Sequence, residues 1–213
     1  AVQRALIRCR ITEPRGRQYA AVSQSSERAM EVDDAMARWV EAGLAELARG
    51  GIDAVRVEVL ATRLGVTKGG FYRRFRDRRA LLDALLETWV RGREVAIEQQ
   101  TELGTNDAAE RLKSLIQLYS QRVSAHGIAI ELAIRQWARS DPTAAAAAAK
   151  VDAARLKRVA GLYRQLGLDA RQAEARAVLF YAFIFGQSLL FLDEPPRRRA
   201  NLVAQCADLL TST

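Results

Sequence analysis

Arginines, glycines and aromatic residues are crowded together in residues 64–81, LGVTKGGFYRRFRDRRAL. The five arginines between positions 73 and 79 repel one another, because like charges that share a short helix are destabilising. Gly69 and Gly70 interrupt the same helical pattern, and a glycine inside a helix costs about 1 kcal/mol relative to alanine. Cationic side chains beside bare backbone amides are the chemistry that binds phosphate groups. The segment therefore predicts an anion-binding surface.

DNA gives each of these features a physical reason. A helix in the major groove must approach base edges closely, and glycine removes the side chain that would hold it away. The Thr67 hydroxyl and the amides at a helix start can donate to a phosphate, and the Tyr72 phenol reaches the backbone from a packed ring. Each phosphate that the flanking arginines neutralise releases counterions. The alternative interpretation is a solvated basic helix end.

The positive charge of the chain is concentrated on this segment. The 213 residues carry a net charge of +8, with 49% hydrophobic and 27% charged residues, which suffices for an ordinary core. Residues 56–79 hold eight positive and two negative side chains, a net +6, whereas residues 93–213 have a net charge of only +3. Such a local excess favours nucleic acid, or another anionic surface, as the partner.

Short helices place the basic segment. Apolar residues at helical spacing predict four helices over about 33–49, 57–64, 68–75 and 77–90. Gly65 ends the second helix, Val66 is expected in the core, Thr67 is expected to cap the third helix, and Asp77 the fourth. Two helices joined by a three-residue turn form the helix-turn-helix pattern.

The rest of the chain predicts five more helices and no strand, so the fold class is all-α. Their expected ranges are 106 or 107 to about 125, 128–139 after a break at His126 and Gly127, an alanine-rich helix capped by Thr143 up to about 166, 169–191, and 196–210. We divide the chain into a basic arm (1–30), a helix-turn-helix domain (31–92) and a larger helical domain for ligand binding and dimerisation (93–213). The arm could track a phosphate backbone or be a disordered leader.

Residues 33–90 resemble the DNA-binding domain of the TetR family of bacterial transcription regulators. The family motif is LGV, Ser or Thr, Lys-Gly, a variable residue, an apolar residue, Tyr, two polar residues and Phe, and residues 64–75 (LGVTKGGFYRRF) follow it. The resemblance implies phosphate contacts from Thr67, Lys68, Tyr72, Arg74 and Arg78. It also implies base contacts near Lys68, Gly69, Gly70 and Arg73.

Two positions depart from the family pattern. Arg56 stands where the family generally has Thr or Ser at the start of the second helix, so it can bind a phosphate without the same capping role. Arg74 stands where histidine is common, which should preserve or strengthen a phosphate contact.

A homodimer is expected from the helix over residues 169–191. Its segment VLFYAFIFGQSLLF (178–191) is apolar almost all the way round, so one face should pack on its own subunit and another on a partner. With the helix over 196–210 it resembles the four-helix homodimer interface of the family. The alternative is a central helix in a monomer.

The resemblance further implies a small-molecule effector in a cavity between the helices of residues 107–191. The candidate ligand-binding side chains, each of which could equally be core or surface, are Tyr119, His126, Arg135, Trp137, Tyr163, Phe180 and Phe183.

Other classes of function find little support in the sequence. One histidine, two distant cysteines (Cys9 and Cys206) and no glycine-rich phosphate loop after a strand argue against an enzyme, a catalytic residue set, a cofactor and a metal site. No apolar run is long enough to span a membrane, and a cytoplasmic location is expected. The sequence thus predicts a homodimeric, ligand-responsive regulator that binds double-stranded DNA at a near-palindromic operator, most simply a repressor. The alternative is a non-specific nucleic-acid or anionic-surface binding protein.

Overall fold

The computed structural model describes residues 34–102, 107–121, 125–190 and 195–212. Every regular element in these ranges is helical, which confirms the all-α class. The elements are α1 (34–50), a 3-10 turn (Ile52–Ala54), α2 (Val57–Leu64), α3 (Lys68–Tyr72), α4 (Arg78–Glu102), α5 (Ala108–Gln121), α6 (Ala125–Trp137), α7 (Pro142–Gln165), α8 (Ala170–Leu189) and α9 (Pro196–Thr211). The basic arm of residues 1–30 lies outside the described residues.

The turns that shape the N-terminal helices follow from local chemistry. Gly65 ends α2 with φ 66°, a left-handed conformation that glycine adopts without steric cost. The Asp77 carboxylate accepts a hydrogen bond from the Ala80 amide at 2.9 Å, so Asp77 caps α4 as predicted. Gly65 thus shapes the turn between α2 and α3, and Asp77 shapes the turn between α3 and α4.

Several predicted helix limits are wrong. The cap of α7 is Asp141, whose carboxylate accepts from the amides of Thr143 and Ala144, because Pro142 already occupies the first helical position. Gly127 and the backbone of His126 belong to α6, so the predicted break there does not exist. The third helix ends at Tyr72 instead of continuing to about residue 75.

Two apolar cores fill the molecule. The N-terminal core joins α1–α4 to the end of α6 and the start of α7, through Trp39, Leu47, Leu60, Phe71, Leu85, Trp89, Ile134, Trp137 and Ala144. The C-terminal core joins α5, α7, α8 and α9, through Leu112, Ile116, Val159, Tyr163, Phe180 and Ile184. Val66 belongs to neither core: it is 42% exposed, so its predicted burial is wrong.

The helix α4 connects the two halves of the chain. It runs without interruption through residue 92, where we placed the domain boundary, and the N-terminal core already includes side chains from α6 and α7. The boundary itself stays a prediction. The helix also contacts α5 and α7.

Candidate nucleic-acid interface

The helix α3 is fixed by aromatic packing on its inner side. Phe71 is fully buried, with its ring edge-on to Trp39 at 5.3 Å and stacked on Phe75 at 5.3 Å between centroids. Such ring pairs stabilise a fold by more than the burial of their apolar area alone. Because these rings hold a five-residue helix from one side, its opposite side is left to solvent.

The outer side of α3 presents little but backbone and one ring. Gly69 is exposed, and Tyr72 keeps 62% of its surface in solvent although its ring touches Phe71 at 5.1 Å. A Cβ added to Gly69 would lie 3.6 Å from the nearest atom outside its immediate neighbours, and one added to Gly70 would lie 3.9 Å away, both ordinary contacts. The isolated fold therefore does not require glycine at either position.

Thr67 stands at the N-cap position of α3 but does not act as predicted. Its backbone is extended, as an N-cap requires, yet its side chain makes no capping hydrogen bond, so the predicted hydroxyl cap is wrong. Arg56, the N-cap residue of α2, also makes no capping bond, in line with the expectation for an arginine there. Both side chains are exposed at helix N-termini, where amides and the helix dipole favour an anion.

Lys68 is paired within the protein. Its Nζ lies 2.8 Å from Oε1 of Glu58 on α2, and both side chains are more than half exposed. The hydrogen bond from Lys68 lowers the pKa of the Glu58 carboxyl, and the same bond raises the pKa of Lys68. Sequence reasoning missed Glu58, because a pair ten residues apart across a turn has no periodic signature.

Arg78 ties the start of α4 to the turn before α2. Its Nε donates to the Val55 carbonyl and one terminal nitrogen donates to the Ile52 carbonyl, both at 2.6 Å. The Ile52 carbonyl, which also accepts from the Val55 amide at 3.3 Å, and the Val55 carbonyl thereby gain a charged donor. The phosphate contact predicted for Arg78 must share the guanidinium with this structural role.

Arg73 and Arg74 lie beside a third arginine that the sequence did not single out. Arg38, exposed on α1, lines with them a shallow groove of about 150 Å³ that also contains Gly70. One cation from α1 and two from the turn after α3 form a positive rim around this groove, next to the bare backbone of α3. A single arginine in the first turns of α1 gave no signal of its own.

The structure brings four of the seven candidate ligand-binding residues, Tyr119, Tyr163, Phe180 and Phe183, into or against the C-terminal core. Trp137 lies in the N-terminal core, whereas Phe180 and Phe183 pack in or against the C-terminal core. The Tyr163 hydroxyl is 3.0 Å from the Leu210 carbonyl and fixes α9 to α7. Tyr119 packs half-buried against the C-terminal core, and the side chain of His126 is outside the described residues.

Arg135 belongs to a buried ionic network instead of an open pocket. Arg155 donates to both carboxylate oxygens of Glu131, at 2.8 and 3.0 Å, and Arg135 bridges Glu131 and Asp152. Both guanidinium groups also lie over the Phe185 ring. Burial opposes ionisation of Glu131, but Arg155 and Arg135 outweigh burial and hold the pKa of this carboxyl below its usual range. The network joins α6, α7 and α8.

An open cleft of about 560 Å³ lies between α4, α5 and α7. Its floor includes Ile97 and Leu162, and its lining contains the charged residues Glu94, Glu98, Arg111, Lys157 and Arg158. Gly161 also lines it, and a Cβ added there would meet no atom within 4 Å. None of the candidate ligand-binding residues lines this cleft.

The helices α8 and α9 expose a row of large apolar side chains. Its members, which we call the α8–α9 face, are Val178, Leu179, Leu189, Leu190, Leu202 and Leu209, between 39% and 74% exposed. Phe180 and Ile184, on the other side of α8, are buried. These two residues confirm that one side of α8 packs within its own chain, and the contact of the exposed side with a partner stays a prediction.

The described residues form neither a metal-binding cluster nor a membrane-spanning helix. In the described ranges, no group of three histidine, cysteine, aspartate or glutamate side chains could hold a metal ion. None of the helices described combines the length and the apolar character that crossing a membrane demands.

Solved structures of bacterial regulators share this architecture. A transcriptional regulator from Rhodococcus sp. Rha1 aligns with TM-score 0.66 and 21% identity over 83% of this chain and 93% of its own. A regulator from Saccharomonospora viridis, solved in complex with choline, has TM-score 0.68, 19% identity and coverages of 83% and 94%. A TetR-family regulator from Agrobacterium tumefaciens has TM-score 0.69, 13% identity and coverages of 84% and 97%. At these identities the likeness shows a shared fold.

The sequence comparison identifies the N-terminal part. No curated protein matches the chain. Residues 40–85, from α1 through the first turns of α4, match the family model described as bacterial regulatory proteins, tetR family. This range contains α2, α3 and the arginine-rich segment described above. Over residues 40–85, which include the helix-turn-helix, the chain is thus similar to the tetR family of bacterial regulatory proteins.

Proposed function

We propose that the protein is a homodimeric transcription regulator, most simply a repressor, that binds a near-palindromic operator through α3 and releases it when a small molecule binds. The observation that carries the proposal is the outer side of α3. Two glycines that the fold does not need stand beside an exposed Tyr72 and a rim of arginines. Close approach to base edges accounts for the glycines, and phosphate contacts account for the charges.

The α8–α9 face supports the homodimer. Large aliphatic side chains at this level of exposure are costly in water, and an apolar patch on a helical bundle is typical of a protein interface. A twofold dimer through this face would present two copies of α3 to one side. They would read half-sites about 34–36 Å apart, or a multiple of that distance.

The cleft between α4, α5 and α7 is the place where we expect the effector. Its wall includes Glu94, Ile97 and Glu98 of α4, the helix whose first turns carry Leu81 and Leu85 of the N-terminal core. A ligand that fits one orientation of α4 better than another shifts the protein toward that orientation. DNA affinity then changes by the same coupling free energy.

Gel shifts over a range of salt concentrations test the DNA-binding part. Fragments from the region upstream of the gene should include one that binds with affinity well above the others, and Arg73→Ala with Arg74→Ala should weaken that binding and its salt dependence. Equal affinity for scrambled and genomic fragments would instead support the non-specific binding alternative.

A filled cleft tests the effector part. Gly161→Phe places a ring in the cleft without meeting a neighbour at Cβ, so the variant should fold and bind DNA. A thermal-shift screen that includes choline should find compounds that stabilise the unaltered protein and do not stabilise Gly161→Phe. Equal stabilisation of both proteins would place the effector elsewhere.

A further inference from the structure

The Glu58–Lys68 pair puts a carboxylate on the surface that should face DNA. Glu58 is in the first turn of α2 and Lys68 opens α3, so the pair spans the two helices of the helix-turn-helix. The Nζ–Oε1 distance is 2.8 Å, and the side chains are 59% exposed for Lys68 and 61% for Glu58. An exposed pair of this kind contributes little to the fold, so its stability role does not explain it.

The surroundings hold the carboxylate in its charged form. Glu58 lies near the N-terminus of α2, where the helix dipole favours a negative group. Arg56 adds positive charge near Glu58, and Tyr72 is the other titratable group that acts on Lys68. The carboxylate therefore occupies the position on Lys68 that a DNA phosphate would otherwise take.

We propose that Glu58 neutralises Lys68 on the DNA-binding surface, so that Lys68 adds little to non-specific phosphate binding. The inference rests on the proposed DNA-binding function. A free lysine that meets a phosphate releases condensed counterions, and each such contact steepens the dependence of log affinity on log salt by about 0.9. Lys68 must give up the Glu58 carboxylate in order to bind a phosphate. The affinity that counterion release would add is therefore largely lost. Lys68 can still donate a hydrogen bond to a base edge. Glu58 thereby weakens binding to non-specific DNA more than binding to a specific sequence.

A four-protein cycle on mixed-sequence duplex DNA tests the inference without knowledge of the operator. Fluorescence anisotropy between about 50 and 200 mM salt gives the salt slope for the unaltered protein, Glu58→Gln, Lys68→Met and the double variant. We expect Glu58→Gln to steepen the slope by about 0.9, because Lys68 becomes free to bind phosphate. Lys68→Met should flatten the slope by about 0.9 in the Glu58→Gln background, and by much less in the unaltered background.

Asp53→Asn is the matched control. It removes one negative charge from an exposed position in the turn before α2, where no described ion pair includes Asp53. The slope of Asp53→Asn should stay that of the unaltered protein. Circular dichroism melting checks that all variants are folded, as their exposure leads us to expect.

Equal flattening by Lys68→Met in both backgrounds would overturn the inference, because Lys68 would then already bind phosphate in the presence of Glu58. Equal steepening by Asp53→Asn and Glu58→Gln would also overturn it, because the effect would then be one of general charge. Salt-dependent binding with one slope for all four proteins defeats this inference alone. Absence of salt-dependent binding by the unaltered protein defeats the proposed function and this inference with it.

Discussion

Arg79, at the start of α4, places a terminal guanidinium nitrogen 2.5 Å from Oδ2 of Asp141, the residue that caps α7. The same arginine donates from Nε to Asp83 one turn further along α4, at 2.8 Å. Asp141 thus accepts from three donors, because its other oxygen accepts from the Thr143 and Ala144 amides at 2.9 Å. The contact fixes the start of the alanine-rich helix on the helix that leaves the DNA-binding domain.

Separate substitutions at Asp141 distinguish its two roles. Asp141→Ala should lower the free energy of unfolding by about 1 kcal/mol through loss of the helix cap. Asp141→Asn keeps an N-capping side chain and loses only the attraction to the half-exposed Arg79, which should cost less. Urea unfolding measures both. If both variants lose the same free energy of unfolding, the stabilisation by Asp141 comes from its ion pair with Arg79 and not from the helix cap.

The buried Glu131–Arg155 pair should dominate the stability of the C-terminal helices. Glu131→Gln leaves the buried Arg155 with only the more distant Asp152 carboxylate, at 3.7 Å, and should cost about 3 kcal/mol in urea unfolding. Arg155→Met in that background removes the poorly compensated charge and should restore part of the loss. A double variant that is less stable than Glu131→Gln would contradict this interpretation.

The same pair predicts the direction of pH dependence. The pKa of Glu131 is held below its usual range in the folded state, so its stabilising contribution is present above the unfolded pKa of about 4.3. That contribution is lost as pH falls through the lower folded pKa. The difference in unfolding free energy between the unaltered protein and Glu131→Gln should therefore be largest near neutral pH and narrow below about pH 4. If this difference in unfolding free energy does not change with pH, the lowered pKa of Glu131 does not contribute to stability.

Arg78→Ala should affect the fold as well as DNA binding. Two backbone carbonyls, at Val55 and Ile52, lose a charged donor, which should lower the free energy of unfolding by about 1 kcal/mol for an exposed group. Arg76→Ala, at an exposed neighbour that bonds only Asp77 among the described residues, is the matched control and should cost less in the same urea titration. Equal stabilities of the two variants would mean that the Arg78 hydrogen bonds add nothing to the fold.

A charge on the α8–α9 face should separate the protomers. Leu179→Glu changes a side chain that is 58% exposed in one protomer, so the single chain should fold while the apolar contact between protomers is lost. Light scattering after size exclusion should give the mass of a monomer. Arg171→Glu, also exposed on α8, is the control and should stay a dimer. A dimeric Leu179→Glu would rule out this face.

The sequence predicts well what depends on local periodicity. The nine helices of the described ranges, the Gly65 turn and the Asp77 cap follow from apolar spacing and from residues with known conformational preference. The α7 cap was misplaced because Thr143 and Asp141 both suit a cap, and only the helical position of Pro142 decides between them. Val66 follows the helical pattern, but the turn carries it out of the core.

Contacts between distant residues are what sequence reasoning could not supply. The charges of Glu131 and Arg155 resemble a solvated face in the sequence, but helix packing buries both and places Arg155 over the Phe185 ring. The Glu58–Lys68 pair depends in the same way on the angle between α2 and α3. Charge type is visible in a sequence, but burial and partner are properties of the fold.

Gly70→Leu tests the central claim, that α3 meets DNA through bare backbone. A Cβ at position 70 would lie 3.9 Å from Val66, an ordinary contact, and we expect the free energy of unfolding to be unchanged or raised by up to about 1 kcal/mol. Affinity for the DNA fragment that the unaltered protein binds best should fall at least about tenfold, since a leucine holds the helix away from base edges. Gly70→Leu that is stable and binds this fragment as tightly as the unaltered protein would contradict the claim.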